Sequence, residues 1–135
     1  MNTYNRPLPE LEGMHGEFYS FCKKEELRFQ RCEDCSTWRH VPREVCPHCG
    51  SWNWQWALSS GKGTVFTWTT ITRALHPAFK DDCPFAGVVV ELEEGVRLLS
   101  NVIDCAPEDL KVGMPVEVTF EKTTEEISLP KFKLA

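Results

Sequence analysis

The sequence predicts a mainly β protein with an N-terminal helix, a rubredoxin-like zinc ribbon and then a five-stranded OB-fold barrel. Two Cys-x-x-Cys pairs, Cys32–Cys35 and Cys46–Cys49, lie ten residues apart in the first half. Five segments rich in β-branched and aromatic residues occupy the second half, as strands do. We place the boundaries at 1–28 for the arm and helix, 29–60 for the ribbon and 61–135 for the barrel.

Length and composition favour a single folded protein outside the membrane. A chain of 135 residues has room for one core and a small module. No apolar run reaches the ~20 residues that cross a bilayer, and no secretory signal opens the chain. We therefore expect a cytoplasmic protein whose seven cysteines are metal ligands or free thiols. The net charge of −5 counts against nonspecific nucleic-acid binding.

The first predicted element is a short amphipathic helix from Gly13 to about Glu26, which follows an extended arm at residues 1–12. Its apolar side chains recur at helical spacing, and they are Met14, Phe18, Phe21 and Cys22. Leu27, Phe29 and Cys32 then alternate with polar residues, which predicts a strand leading to the first cysteine pair.

The two cysteine pairs predict one structural Zn²⁺ bound by Cys32, Cys35, Cys46 and Cys49. Each Cys-x-x-Cys turn offers two thiolates, and two facing turns complete a tetrahedron. Four thiolates close the coordination shell, which argues against catalytic zinc. Buried thiols, a redox motif and an iron centre are alternatives with the same residues. His40 and His48 could replace a cysteine, although surface histidines are the simpler interpretation.

Three tryptophans, Trp52, Trp54 and Trp56, alternate with polar residues and share one face of a predicted strand. Packing of the ribbon against the barrel is the preferred interpretation because indoles bury large apolar areas. A stacking platform for single-stranded nucleic acid is the alternative.

The barrel is predicted from five strands with a short helix after the third, starting at Pro107 and stopping at Gly113. The predicted strands are Thr64–Ala74, Phe85–Leu92, Val96–Cys105, Pro115–Phe120 and Ile127–Leu134. The loop after the first strand, where OB folds bind ligands, carries Arg73, His76, Phe79 and Lys80. It also holds Cys83, so a Cys83–His76 nucleophile pair is an alternative to a buried thiol.

Residues from about Phe18 to Phe120 resemble the acyl-CoA-associated family of zinc-ribbon plus OB-fold proteins, catalogued as domain of unknown function thirty-five. The resemblance is most specific in the paired cysteine turns, in the Ser-Gly-x-Gly-x-Val turn at Ser60–Val65, and in the Gly-Met-Pro-Val segment at Gly113–Val116.

What the resemblance implies is a noncatalytic accessory subunit in a hetero-oligomer with a thiolase-like or MaoC-type hydratase-like partner. The complex would process an acyl-CoA thioester, as a benzoylsuccinyl-CoA thiolase or a steroid side-chain aldolase does. The larger partner would then supply the reactive Cys and the His base. The implied cofactors are structural Zn²⁺ and a coenzyme A thioester at the interface.

Two sets of contact residues follow as expectations. Basic groups would bind the CoA phosphates, and the candidates are Lys23, Lys24, Arg28, Arg39 and Arg73. An exposed apolar helix face would dock the partner, together with the loop after the first barrel strand, through Phe18, Phe21, His76 and Phe79. A stand-alone acyl-CoA-binding protein and a single-strand nucleic-acid-binding module are the rival functions.

Overall fold

One helix and two antiparallel sheets make up residues 5–135, which are the residues described by the computed structural model. The first four residues of the predicted arm lie outside this range. Helix α1 spans Gly13–Lys23. The ribbon sheet follows in the order β2-β1-β3, with β1 at Arg28–Cys32, β2 at Trp38–Arg39 and β3 at Trp54–Leu58.

The second sheet has five strands in the order β6-β5-β4-β7-β8. The strands are β4 at Lys62–Ile71, β5 at Phe85–Leu92, β6 at Arg97–Ser100, β7 at Pro115–Lys122 and β8 at Ser128–Leu134. Short 3₁₀ helices at Pro77–Asp82 and Pro107–Asp109 interrupt the two longest connections. This arrangement confirms the predicted mainly β fold with a helix, a ribbon and an OB-type sheet.

The five-stranded sheet curls until the segment after β6 reaches β8. A single parallel bridge joins Val102 to Phe132, and the Ile103 N–H donates to the Phe132 carbonyl at 2.8 Å. A register shift between Val65 and Thr67 bends β4, as a β-bulge does. The predicted strand Val96–Cys105 is therefore too long, because regular pairing ends at Ser100 and only this bridge continues it.

One core joins the helix, the ribbon and the barrel. Phe29 of β1 and Phe132 of β8 are both completely buried, and the Phe18 ring of α1 lies 6.3 Å from the Phe29 ring. Alternate residues of β5, from Val88 to Leu92, point into the same core. Because the helix is amphipathic, its apolar face covers this junction and packs against both sheets.

The described part of the arm is tied to the barrel by one side chain. The Arg6 guanidinium lies 4.6 Å from the centre of the Phe79 ring and donates to the Ala78 carbonyl at 3.3 Å. It also forms an ion pair with Asp82. Arg6 thus joins the arm to the 3₁₀ helix Pro77–Asp82 in the connection between β4 and β5.

Candidate metal centre and its surroundings

The four predicted ligands converge in the ribbon. The Sγ atoms of Cys32 and Cys49 are 3.6 Å apart, as are those of Cys35 and Cys46, and all four sulfurs lie within 4.8 Å of one another. A Zn–S bond of ~2.3 Å in a tetrahedron requires sulfur separations of about 3.8 Å. The cluster therefore fits one tetrahedral metal ion.

The two cysteine turns are built alike. The Ser36 N–H donates to the Cys32 carbonyl at 3.0 Å, and the Gly50 N–H donates to the Cys46 carbonyl at 2.9 Å. Ser36 and Gly50 each follow the second cysteine of a pair and adopt positive φ angles of 63° and 78°. The left-handed backbone conformation at these two positions turns each loop so that backbone N–H groups face the sulfur of the first cysteine in the pair.

Those N–H groups favour the thiolate form of the first cysteine in each pair, and the thiolate is the form that a metal requires. The backbone N–H of Cys35 is the main cause that lowers the pKa of Cys32 to about 6, and the N–H of Cys49 likewise lowers the pKa of Cys46. Four thiolates would leave no open position on a tetrahedral ion, so a metal held here would stabilise the fold rather than activate water. His40 and His48 are not part of the sulfur cluster.

The three tryptophans divide between packing and exposure. Trp56 packs edge-on against Phe21 of the helix, with ring centres 5.5 Å apart, and Trp54 stands at 90° to Trp56. Trp52 is 68% exposed. Trp56 therefore packs on the helix, whereas the preferred interpretation was packing of the ribbon against the barrel. The perpendicular pair does not form a row of parallel rings, and base stacking stays an untested alternative.

Four of the five basic residues predicted to bind CoA are exposed or half-buried. Lys23 and Lys24 are exposed at the end of the helix, and Arg73 is exposed in the loop after β4. Arg28 lies over the Phe21 ring and donates to Glu26 at 2.7 Å. These four residues stay a prediction that the structure leaves open.

Arg39 requires a correction, because it is only 6% exposed. Its Nε donates to the Gln30 side chain at 2.8 Å, and its Nη2 donates to the Arg43 carbonyl at 2.8 Å. These bonds tie β1 to the segment between the two cysteine turns. The third nitrogen, Nη1, is buried without a hydrogen-bond partner among the described residues, so the guanidinium lies inside the ribbon and is not exposed to a CoA phosphate.

The predicted docking residues also need one correction. Phe18 is 4% exposed and belongs to the core, so it is not part of an exposed helix face. Phe21 is half-buried between Trp56 and Arg28. Helical spacing located both side chains on one face, but Phe29 and His40 of the ribbon pack against Phe18.

The loop after β4 shows no nucleophile pair. The His76 Nδ1 accepts the Ala78 N–H at 3.1 Å and so begins the 3₁₀ helix, whereas the Cys83 thiol donates to the Phe79 carbonyl at 3.6 Å. Phe79 stacks on Phe85 with ring centres 6.0 Å apart. Each of these side chains already has a structural partner within the loop or the barrel.

A groove of about 730 Å³ was not predicted from the sequence. It lies between the helix and ribbon on one side, at His15 and Val41, and the outer face of β5 and β6 on the other, at Gly87 and Leu99. None of the predicted CoA-binding residues lines it. The single sequence signal for it is the glycine that interrupts the apolar run Phe85–Val90.

In the described part of the chain, helix α1 is far too short to span a bilayer, and no other helix is long and apolar enough.

Comparisons with known proteins agree with this two-part architecture. Residues 20–54 match the family described as ChsH2, rubredoxin-like zinc ribbon domain, and residues 56–121 match ChsH2, C-terminal OB-fold domain. A DUF35 domain-containing scaffold protein of Methanocaldococcus jannaschii is 37% identical over 100 residues, which cover 71% of this chain and 68% of that protein.

Two further relatives are parts of named enzymes. A probable enoyl-CoA hydratase alpha subunit of Thermomonospora curvata is 36% identical over 130 residues, 96% of this chain, and the chain spans only 40% of that protein's length. A chain in the solved structure of the Ltp2-ChsH2(DUF35) aldolase is 35% identical with a TM-score of 0.84. The match covers 94% of this chain and 98% of that one.

Proposed function

The chain belongs to the DUF35 family of ChsH2-type zinc-ribbon and OB-fold proteins, and on that premise we propose that it is a noncatalytic accessory subunit of an acyl-CoA-processing complex. The observation that carries this proposal is the match, over nearly its whole length, to a chain of an Ltp2-ChsH2(DUF35) aldolase. The name of a second relative, an enoyl-CoA hydratase alpha subunit, supports CoA thioesters as the substrate class.

The chemistry of the thiols supports a noncatalytic role. Attack on a thioester needs an activated thiolate beside a base. Within residues 5–135, four thiols form the metal cluster, and burial raises the pKa of Cys22 to about 12. Burial, then the neighbouring carboxylates, raises the pKa of Cys105. Cys83 is bonded to a backbone carbonyl and has no histidine partner.

The reacting groups would accordingly come from a larger partner. A thiolase-like enzyme that makes or breaks a carbon–carbon bond next to the thioester is our first choice, and a MaoC-type hydratase-like protein is the second. In this arrangement the metal centre keeps the ribbon rigid, so that the subunit presents one fixed surface to its partner.

Reconstitution tests the proposal. The chain is coexpressed with each thiolase-like and hydratase-like subunit of its host, and complexes are isolated by affinity purification and size-exclusion chromatography. We expect one stable hetero-oligomer whose thioester turnover needs both chains, and no turnover by this chain alone. Activity of the isolated chain, or the absence of any complex, would overturn the proposal.

Calorimetry with CoA thioesters separates the rival binding function. A stand-alone acyl-CoA-binding protein would bind the thioester without a partner. An accessory subunit would show little heat until the complex is formed, because half of the CoA site is then missing.

A further inference from the structure

Gly87, in the middle of β5, has no structural reason to be glycine. All eight glycines lie within the described residues, and seven are required by a positive φ or by a neighbouring atom closer than 3.0 Å. A Cβ added at Gly87 would meet only the Cδ1 atoms of Ile71 and Leu99, both at 3.9 Å. A glycine inside a strand weakens it and often marks the close approach of a ligand or another chain.

The missing side chain opens the floor of the groove. Strand register places Gly87 opposite Thr69, with Ile71 opposite Phe85 and Leu99 opposite Val89, so these residues share the outer face of the sheet. Ile71 and Leu99 reach over from the strands on either side of β5. Gly87 therefore leaves a notch between two aliphatic walls.

The other wall comes from outside the barrel. His15 and Tyr19 of α1, with Val41 of the ribbon, complete the groove. The groove thus forms only when the helix, the ribbon and the barrel are packed together, and its shape depends on how all three are arranged.

The groove is basic in an acidic protein. The chain has 20 Asp and Glu against 15 Lys and Arg, yet among the described residues that line the groove there is no Asp or Glu. Arg97 at one end is already paired with Glu91 at 3.1 Å. Lys131 donates to the neutral Asn101 side chain at 2.6 Å; the carboxylates of Glu121 and Asp82 act on it through their charge, but among the described residues neither forms an ion pair with it. An acidic group on an incoming molecule would complement Lys131.

Two apolar residues that line the groove are strongly exposed. Leu99 is 70% exposed and Val41 is 49% exposed, on opposite walls. A small ligand seated on Gly87 would leave these flanks in water, whereas a protein surface would cover them. Contiguous exposed apolar surface with a polar rim is typical of protein interfaces.

We propose that this groove docks the acyl-CoA enzyme subunit, which inserts an apolar side chain over Gly87, between Ile71 and Leu99, and sets a carboxylate near Lys131. This inference rests on the proposed function and adds the surface that carries it. Of the interface residues predicted from the sequence, Phe18 lines this groove, whereas Phe21, His76 and Phe79 do not.

Two variants that change different parts of the groove test the site. Gly87→Val adds a side chain to the notch, and the Cβ of that side chain has only van der Waals neighbours at 3.9 Å. Leu99→Glu places a charge on the exposed wall. Val112→Glu is the matched control, because Val112 is 73% exposed and does not line the groove.

Affinity for the purified large subunit is measured by calorimetry, with melting temperature and zinc content recorded for each variant. We expect Gly87→Val and Leu99→Glu to keep the wild-type melting temperature and zinc content. Each should raise Kd by about tenfold or more, as a hot-spot change does, whereas the Kd of Val112→Glu should stay within about twofold of the wild-type value. If Gly87→Val melts early, the surface variant Leu99→Glu decides.

The outcomes separate the two proposals. A wild-type complex that tolerates both groove variants within about twofold overturns the docking site and leaves the accessory function intact. Failure of the wild-type chain to bind any thiolase-like or hydratase-like subunit overturns both, because the proposed occupant is then absent.

Discussion

The ribbon tip and the barrel are held together by different forces. In residues 33–53 the buried residues are Arg39, Pro42 and Cys46, so the tip has almost no apolar core. The barrel buries most of the fully enclosed aliphatic side chains, among them Val65, Val88 and Val116, around Phe132. The metal cluster therefore has to supply in the tip what apolar burial supplies in the barrel.

Removal of the metal should have the largest effect, and it should affect the ribbon tip and not the barrel. Structural zinc contributes an apparent free energy of about 10–16 kcal/mol in small zinc domains, so chelation or Cys46→Ser should unfold the tip. We expect hydrogen exchange to show loss of amide protection at residues 33–53 while β4–β8 stay protected. Elemental analysis should fall from one zinc ion per chain to none.

The control for that experiment is Cys105→Ser, which removes a thiol outside the cluster. It should retain the metal and the protection of the tip. Simultaneous unfolding of tip and barrel on chelation would show that the two regions form one cooperative unit.

The barrel should respond to a lost side chain instead. Phe132 is completely buried and carries the bridge that closes the sheet. Phe132→Ala should lower the free energy of unfolding by about 3–5 kcal/mol, through lost burial and the cavity left behind. Chemical denaturation measures the loss, and Leu134→Ala, at an exposed position of the same strand, is the control.

Zinc retained by Phe132→Ala would confirm that the tip folds on its metal. Loss of zinc together with the barrel would contradict that independence, and would place the shared core at Phe29 in control of both regions.

Sequence patterns predicted the elements whose physics is local. Cysteine spacing located all four members of the sulfur cluster, because a Cys-x-x-Cys turn dictates its own geometry. Alternating β-branched residues located the barrel strands to within a few residues, with Val96–Cys105 as the exception. That strand ends early because the chain leaves the sheet to bridge β8.

Features that depend on contacts between distant segments were not predictable. The 3.6-residue period grouped Phe18 with Phe21, but only the packing of α1 on the shared core, with Phe29 and His40 beside it, decides that Phe18 is buried. From the sequence, Arg39 was expected to be an exposed charge. In the structure it is buried and donates a hydrogen bond to the Gln30 side chain. The groove over Gly87 combines three regions that are far apart along the chain.

The junction between ribbon and barrel should depend on pH through His40. Burial, then the nearby charge of His15, lowers the pKa of His40 from 6.5 to about 4, and in the described chain its Nδ1 is buried without a hydrogen-bond partner. The unfolded chain binds the proton more tightly, so stability is complete above pH 6.5 and is lost as pH falls toward 4. The full loss is about 3 kcal/mol.

A pH series of denaturation curves checks this, with His40→Gln as the comparison. Protonation of the metal thiolates affects both proteins, so the difference between their curves isolates His40. Parallel curves from pH 7 to pH 4 would mean that His40 titrates normally.

The smallest expected effect concerns the hydrogen bonds of the segment between β3 and β4, where the ribbon meets the barrel. The Glu94 carboxylate accepts the Ser59 hydroxyl and, at 3.0 Å, the Ser60 N–H, which ties the β5–β6 turn to the segment between ribbon and barrel. Glu94→Ala should cost about 1 kcal/mol, because the bonds are charge-assisted but partly in water. Urea midpoints measure it against Glu93→Ala, whose exposed side chain makes none of these bonds. Equal midpoints for the two variants would mean that the common core at Phe18 and Phe29 alone fixes the ribbon on the barrel, and that the carboxylate adds nothing to the joint.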